Sequence, residues 1–285
     1  MARLNKVIEL LEQGKVVFGG AVVAPGNVES ATAFADLGYD FIIFEMEHEG
    51  FDFSNLRLSL QFLLNRKRMA AKAALQPDVM PFVRVPPNAR ELNQWVIKQT
   101  LDTGVYGLIL PHLDTVEQAR AAVIASRYPQ ASGVADYEPA GQRGWAPFAA
   151  PRYWGLSAPE YTELADLWPL DARGEMFFMP LIEGVEGVRN LPDILREIKG
   201  ISAIWAGSGD LAMEMGVPCH MNDPRVEEAV QLILKVSTQF DVPCATIAFG
   251  SEDVARRIEQ GFRIIITIPK LVDRALEEGK KLAGR

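Results

Sequence analysis

The feature that most constrains this chain is a two-part pattern met eight times: a short apolar run, then a stretch with helical periodicity. The apolar runs are Val16–Ala24, Tyr39–Glu45, Met80–Val85, Val105–Leu110, Met176–Glu183, Ser202–Ala206, Pro243–Ala248 and Phe262–Ile268. Runs of this length with Gly or Pro near their ends read as strands buried on both faces, the habit of a parallel sheet. Between them the sequence predicts helices over Asn27–Leu37, Ser54–Asn65, Asn88–Thr103, Thr115–Ser126, Val185–Ile198, Arg225–Phe240, Ser251–Gln260 and Pro269–Leu282. Asn27 is the expected N-cap of the first, and Pro269 the first residue of the last. Eight strands alternating with helices over about 250 residues predict an α/β protein of the (β/α)8 TIM-barrel class. A doubly wound sheet competes. It would normally carry a glycine-rich phosphate turn after strand one, where this chain has Ala24-Pro25-Gly26-Asn27.

Two segments stand outside the alternation. The N-terminal stretch carries Leu4, Val7, Ile8, Leu10 and Leu11 at helical spacing and reads as an amphipathic helix, without the apolar core of a signal peptide. Residues 130–174, after the fourth strand–helix unit, have no clear period and hold Tyr137, Trp145, Tyr153, Trp154, Tyr161 and Trp168. They read as an extended loop or helical excursion inserted in a single domain spanning 1–285. Its aromatic content fits a lid or subunit contact that enlarges a pocket for a bulky aromatic aldehyde, or equally a packed surface elaboration.

Composition narrows the partners. A net charge of -8 and a pI near 5.1 argue against nucleic acid and anionic membranes. No apolar run approaches the 18 or so residues needed to span a bilayer. Two cysteines, Cys219 and Cys244, give no disulfide framework, and a cytoplasmic location is the default expectation.

In a barrel, the polar residues that end the strands share one mouth. Strand two ends in Glu45-Met46-Glu47-His48, strand three in Arg84, strand five in Glu183, and strand six leads into Gly207-Ser208-Gly209-Asp210. His48 has acidic neighbours on both sides, and Glu45 is in reach to hold its ring and tune its basicity. Glu183 and Asp210 are hard carboxylates on adjacent strands, able to share Mg²⁺ or Mn²⁺, or else simple helix N-caps. Arg84 is a fixed cation suited to an oxo or enolate oxygen, or a salt-bridge residue. Gly207, Ser208 and Gly209 offer backbone N–H groups to a carboxylate, or make a tight turn. His112, after Pro111 at the end of strand four, lines the pocket or sits in the core. Cys219-His220 reads as a loop.

With these residues in view, the chain resembles the HpcH/HpaI family of metal-dependent 2-oxo acid aldolases. The likeness rests on PFVRV (81–85), PLIEG (180–184), WAGSGDLAMEMG (205–216), the strand ending in EMEH, and RYP with RGWA (127–129, 143–146). It runs from about residue 4 to the last strand. The resemblance implies a barrel assembled as a homohexamer, a trimer of dimers that exchange their last helix. It implies Mg²⁺, Mn²⁺ or Co²⁺ on Glu183 and Asp210, with pyruvate as the 2-oxo acid and an aldehyde as the second partner. Arg84 matches the arginine that stabilises the enolate, His48 the catalytic histidine, and Glu45 its acidic partner. The sequence departs from the family at several places. Glu45-Met46-Glu47-His48 stands for D-G-E-H, and Gly207-Ser208-Gly209-Asp210-Leu211-Ala212 for G-P-A-D-L-S. Leu181 replaces a polar residue two before the metal glutamate, which makes the expected substrate pocket more apolar, and the 130–174 segment is long. Rival readings on the same scaffold are a citrate-lyase-like acyl-CoA lyase, a 2-oxo acid hydratase or hydrolase, and a non-catalytic binding protein.

Overall fold

The computed structural model describes residues 3–23, 28–134, 138–268 and 274–285; the expected cap at Asn27, Tyr137 and Pro269 lie outside them. Nine strands are described: β1 (Val17–Val23), β2 (Phe41–Glu45), β3 (Met80–Arg84), β4 (Gly107–Leu110), β5 (Leu167–Trp168), β6 (Met176–Ile182), β7 (Ile204–Ala206), β8 (Cys244–Ile247) and β9 (Ile264–Thr267). All pairings are parallel. The order β4-β3-β2-β1-β9-β8-β7-β6 is closed by a β4–β6 pairing, so eight strands make a barrel. The two-residue β5 borders the first residues of β6, and β7 the last.

Fully apolar strands are what this closure requires, because one face meets the barrel interior and the other the helices. All five residues of β2 and all seven of β6 are buried. Inside, the rings of Phe41 and Phe82 stack at 4.6 Å, and Phe177 lies 5.4 Å from Phe82. Gly107 makes room for this stack, since a Cβ there would come within 2.2 Å of the Phe82 ring.

The helices on the outside are α1 (Lys6–Glu12), α2 (Val28–Asp36), α3 (Phe53–Leu63), α4 (Arg66–Lys72), α5 (Asn88–Glu91), α6 (Gln94–Leu101), α7 (Val116–Ser126), α8 (Ala150–Trp154), α9 (Ala158–Leu164), α10 (Val185–Glu197), α11 (Ser208–Glu214), α12 (Pro224–Gln239), α13 (Ser251–Gln260) and α14 (Arg274–Leu282). Starts follow capping chemistry: Thr115 with Gln118 and Ser157 with Glu160 form capping boxes, and Asp223 precedes Pro224. The single helix expected over Asn88–Thr103 is two, broken where Leu92 takes a φ of 55°. Arg66, Lys67 and Arg68 open α4, which Asn65 caps. α14 packs on Phe18 and Val254 of its own chain, close enough that only glycine fits at position 279.

The excursion closes the amino-terminal end of the barrel, away from the mouth. Trp154 lies flat on Tyr106, 4.2 Å between centroids, and donates its indole N–H to Gly104 O in the turn before β4. Trp168 stacks on Phe177 at the start of β6. Arg143, fully buried, bonds Asp102 and the Tyr161 hydroxyl. Arg127 grips Asp166 through two bonds of 2.7 Å. α1 completes this floor, with Asn5 bonded to Glu175. Of the two readings of these aromatics, four of them fit the packed elaboration and not a lid, while Trp145 is exposed and donates to Thr162. Tyr153, Trp154, Tyr161 and Trp168 pack against the floor because that is where the apolar ends of β4 and β6 need covering.

Candidate active site

Parallel strands put all their carboxyl ends at one opening, and register decides which residues meet there. Glu45 and Arg84 are register partners of β2 and β3, so their side chains leave the sheet side by side. The buried Glu45 carboxylate accepts from Arg84 Nε at 2.7 Å through Oε2. Through Oε1 it accepts the backbone N–H groups of Glu47 and His48 at 2.8 and 3.2 Å. The turn after β2 is thus tied to the end of its own strand.

The expected contact between Glu45 and the His48 ring is made by Glu47 instead. Glu47 Oε2 lies 3.3 Å from His48 Nε2 and 3.1 Å from Arg84 Nε, and its Oε1 lies 3.9 Å from His112 Nε2. The longer glutamate at 45 reaches across to Arg84, and the next carboxylate faces the ring. The His48 side chain is 64% exposed, open to the mouth.

Glu183 follows β6 and Asp210 lies in the first turn of α11, just past β7. With His112, which follows β4, each offers a ligand atom, and these atoms all lie within 4.8 Å of one another. Glu183 Oε1 accepts the His112 backbone N–H at 2.9 Å. Gly207 is required at the corner, because a Cβ there would stand 2.6 Å from the Cβ of Glu183. Gly207, Ser208 and Gly209 open α11 with no side-chain cap. Leu181, two residues before Glu183 and on the same face of β6, is buried beneath the mouth.

Like charge is crowded into this cluster. Burial, with Asp210 and Glu47 adding like charge against the His112 N–H and Arg84, pushes the Glu183 carboxyl up to about 8. Glu47 is raised by burial, Arg84 and His48 opposing and Glu45 and Asp210 reinforcing it. His112 is lowered, first by burial and then by Arg90. Glu45, Glu47, Glu183 and Asp210 thus lie near Arg84, while Arg90 is paired with Asp114. The residues fit a divalent ion. Two oxygen donors and an imidazole converge, the His112 Nδ1 atom is buried without a hydrogen-bond partner, and Gly207 keeps the space beside Glu183 clear.

The sequence therefore placed His48, Arg84, Glu45, Glu183 and Asp210 in one cluster, and the structure brings them together. It adds Glu47 as the bridge between Arg84 and both histidines. It also settles His112 at the mouth, for which the sequence signal was its place directly after the Pro that ends a strand.

A closed parallel barrel with a carboxylate–imidazole cluster at its carboxyl mouth defines a (β/α)8 enzyme. The HpcH/HpaI aldolase/citrate lyase family model matches residues 23–267, and the chain belongs to that family. A 4-hydroxy-2-oxo-heptane-1,7-dioate aldolase from Escherichia coli is 29% identical over 229 residues, 80% of this chain and 74% of the relative. A 2-keto-3-deoxy-L-rhamnonate aldolase from Salmonella paratyphi B is 30% identical over 198 residues, 69% and 62% of the two chains. Among solved structures, an HpcH/HpaI aldolase/citrate lyase family protein from Burkholderia cenocepacia superposes with a TM-score of 0.74 at 25% identity, covering 92% of this chain and 91% of its own. No helix among the described residues is long and apolar enough to cross a membrane.

Proposed function

We propose that the chain is a divalent-metal-dependent aldolase that cleaves a 4-hydroxy-2-oxo acid to pyruvate and an aldehyde, and runs the reverse addition. The observation that carries this reading is the convergence of Glu183 and Asp210, from the ends of neighbouring strands, beside Arg84 and His48. Glu183 and Asp210 would hold Mg²⁺, Mn²⁺ or Co²⁺, which when bound supplies Lewis acidity to a 2-oxo acid chelating through its carboxylate and keto oxygens.

The other residues divide the remaining work. His48 is open to the mouth with the Glu47 carboxylate 3.3 Å from its Nε2, a position from which its imidazole can act as the base. In cleavage it takes the proton of the 4-hydroxyl. The C3–C4 bond breaks, its electron pair passes toward the 2-oxo oxygen, the aldehyde departs, and the proton held by His48 is returned to C3 to give pyruvate. In synthesis it takes a proton from the methyl group of pyruvate. Arg84 faces the negative charge that develops on the former keto oxygen. Glu45 meets the guanidinium at Nε and Nη2 and Glu47 meets it at Nε, so the arginine is oriented before substrate arrives. Gly207, Ser208 and Gly209 present uncapped backbone N–H groups to the substrate carboxylate, and Leu181 forms the apolar bottom of the pocket.

The test is a coupled pyruvate-release assay on metal-stripped protein. Cleavage should vanish with chelator and return with Mn²⁺. Cleavage indifferent to stripping would defeat the proposal.

A further inference from the structure

We infer that His112 supplies a nitrogen ligand, through Nδ1, to the divalent ion held by Glu183 and Asp210. The inference rests on the metal-dependent reading above and adds a third protein ligand to it.

Backbone, ring and environment point the same way. His112 leaves β4 at a φ of 51°, in the left-handed region that a non-glycine residue enters at a cost of about 1 kcal/mol. In that conformation its N–H meets Glu183 Oε1 at 2.9 Å, and its ring lies over the same carboxylate, with Nδ1 3.7 Å from Oε1. That separation is too long for a hydrogen bond. Nδ1 is buried and has no other partner. A buried polar atom left so costs about 1–3 kcal/mol and calls for an explanation. The opposite ring nitrogen, Nε2, faces Glu47 Oε1 at 3.9 Å. At 3.7 and 3.9 Å neither carboxylate hydrogen-bonds the ring, so no partner in the cluster holds a proton on Nδ1 and its lone pair is free for an ion. A lone pair and a carboxylate oxygen, facing each other with Asp210 alongside, are reconciled by a cation between them.

A nitrogen ligand changes which ion the site prefers. Imidazole suits the later ions such as Co²⁺ and Zn²⁺, whereas Mg²⁺ and Mn²⁺ favour oxygen. This chain should therefore bind Co²⁺ well above Mg²⁺.

Pulsed EPR on the full chain loaded with Mn²⁺ tests the assignment directly. The wild type should show the ¹⁴N modulation of a coordinated imidazole, and His112→Asn should lose it. Asparagine tolerates the left-handed backbone, so this variant keeps the turn. It should also weaken Co²⁺ binding, measured by calorimetry, by at least about tenfold and Mg²⁺ binding by less. Manganese bound without ¹⁴N modulation, or modulation that survives in His112→Asn, overturns the inference and leaves the aldolase reading standing. A wild-type chain that binds neither Mn²⁺ nor Co²⁺ overturns both.

Discussion

The two ends of the barrel treat buried charge in opposite ways. At the floor each buried ion has its counter-ion: Arg127 with Asp166, Arg143 with Asp102, and Asp40 with Arg285. At the mouth Glu45, Glu47, Glu183 and Asp210 crowd near Arg84, Arg90 is taken up by Asp114, and a histidine nitrogen is left without a hydrogen-bond partner. Charge that is balanced in place holds the fold together. Charge left in surplus at a strand end awaits something from outside, and here its sign calls for a cation.

Breaking a floor pair should have the largest effect. Arg127→Ala leaves Asp166 buried without its partner and should lower stability by about 3–5 kcal/mol in denaturant unfolding. Trp154→Ala, which empties the place over Tyr106, should lose a similar amount, about 3–5 kcal/mol. In both, turnover per folded molecule and the choice between aromatic and short aliphatic aldehydes should be unchanged. A shifted aldehyde preference in Trp154→Ala would return the excursion to the active site.

Mouth residues should behave in reverse. His48→Ala removes an exposed side chain, so it should leave Tm unmoved while turnover falls by at least about 10². Next in size, Glu183→Gln relieves the like-charge crowding yet keeps an acceptor for the His112 N–H. Thermal melts in chelator should show it more stable than wild type by about 1–2 kcal/mol. A loss instead would mean the mouth is balanced in some other way.

The smallest effect expected is a pH dependence at the floor. Burial raises the Asp40 carboxyl, but the bond from Arg285 and the charge of Lys6 outweigh it, and the net shift is downward. A depressed folded value contributes stability that is complete above the unfolded value of about 3.9 and is lost as pH falls through the folded one. Arg285→Ala should therefore be less stable than wild type by roughly 1 kcal/mol at pH 6, and the gap should close as pH falls below 4.

This contrast also explains what could be read from the sequence. Strands such as β2 and β6 are buried on both faces, so local composition reveals them, and with them the residues that cap them: Glu45, Arg84 and Glu183. Arg127 with Asp166, or Trp154 on Tyr106, are joined by long-range packing that has no period in the chain. The excursion's aromatics therefore read equally as lid or as floor. His112 was ambiguous for a different reason. Its role depends on a φ of 51°, which one histidine letter does not encode. The exchange of carboxylates around His48 turned on the reach of Glu45 toward Arg84, set by the register of β2 and β3.

The sealed floor has a consequence for traffic. With α1 and the excursion stoppering one end, reactants enter and products leave by the same door. Glu183 is itself buried, and whatever it helps to hold sits at the back of the queue. Under the cleavage proposed above, the aldehyde should step out before the keto acid, and an excess of the keto acid should slow turnover by occupying the vestibule.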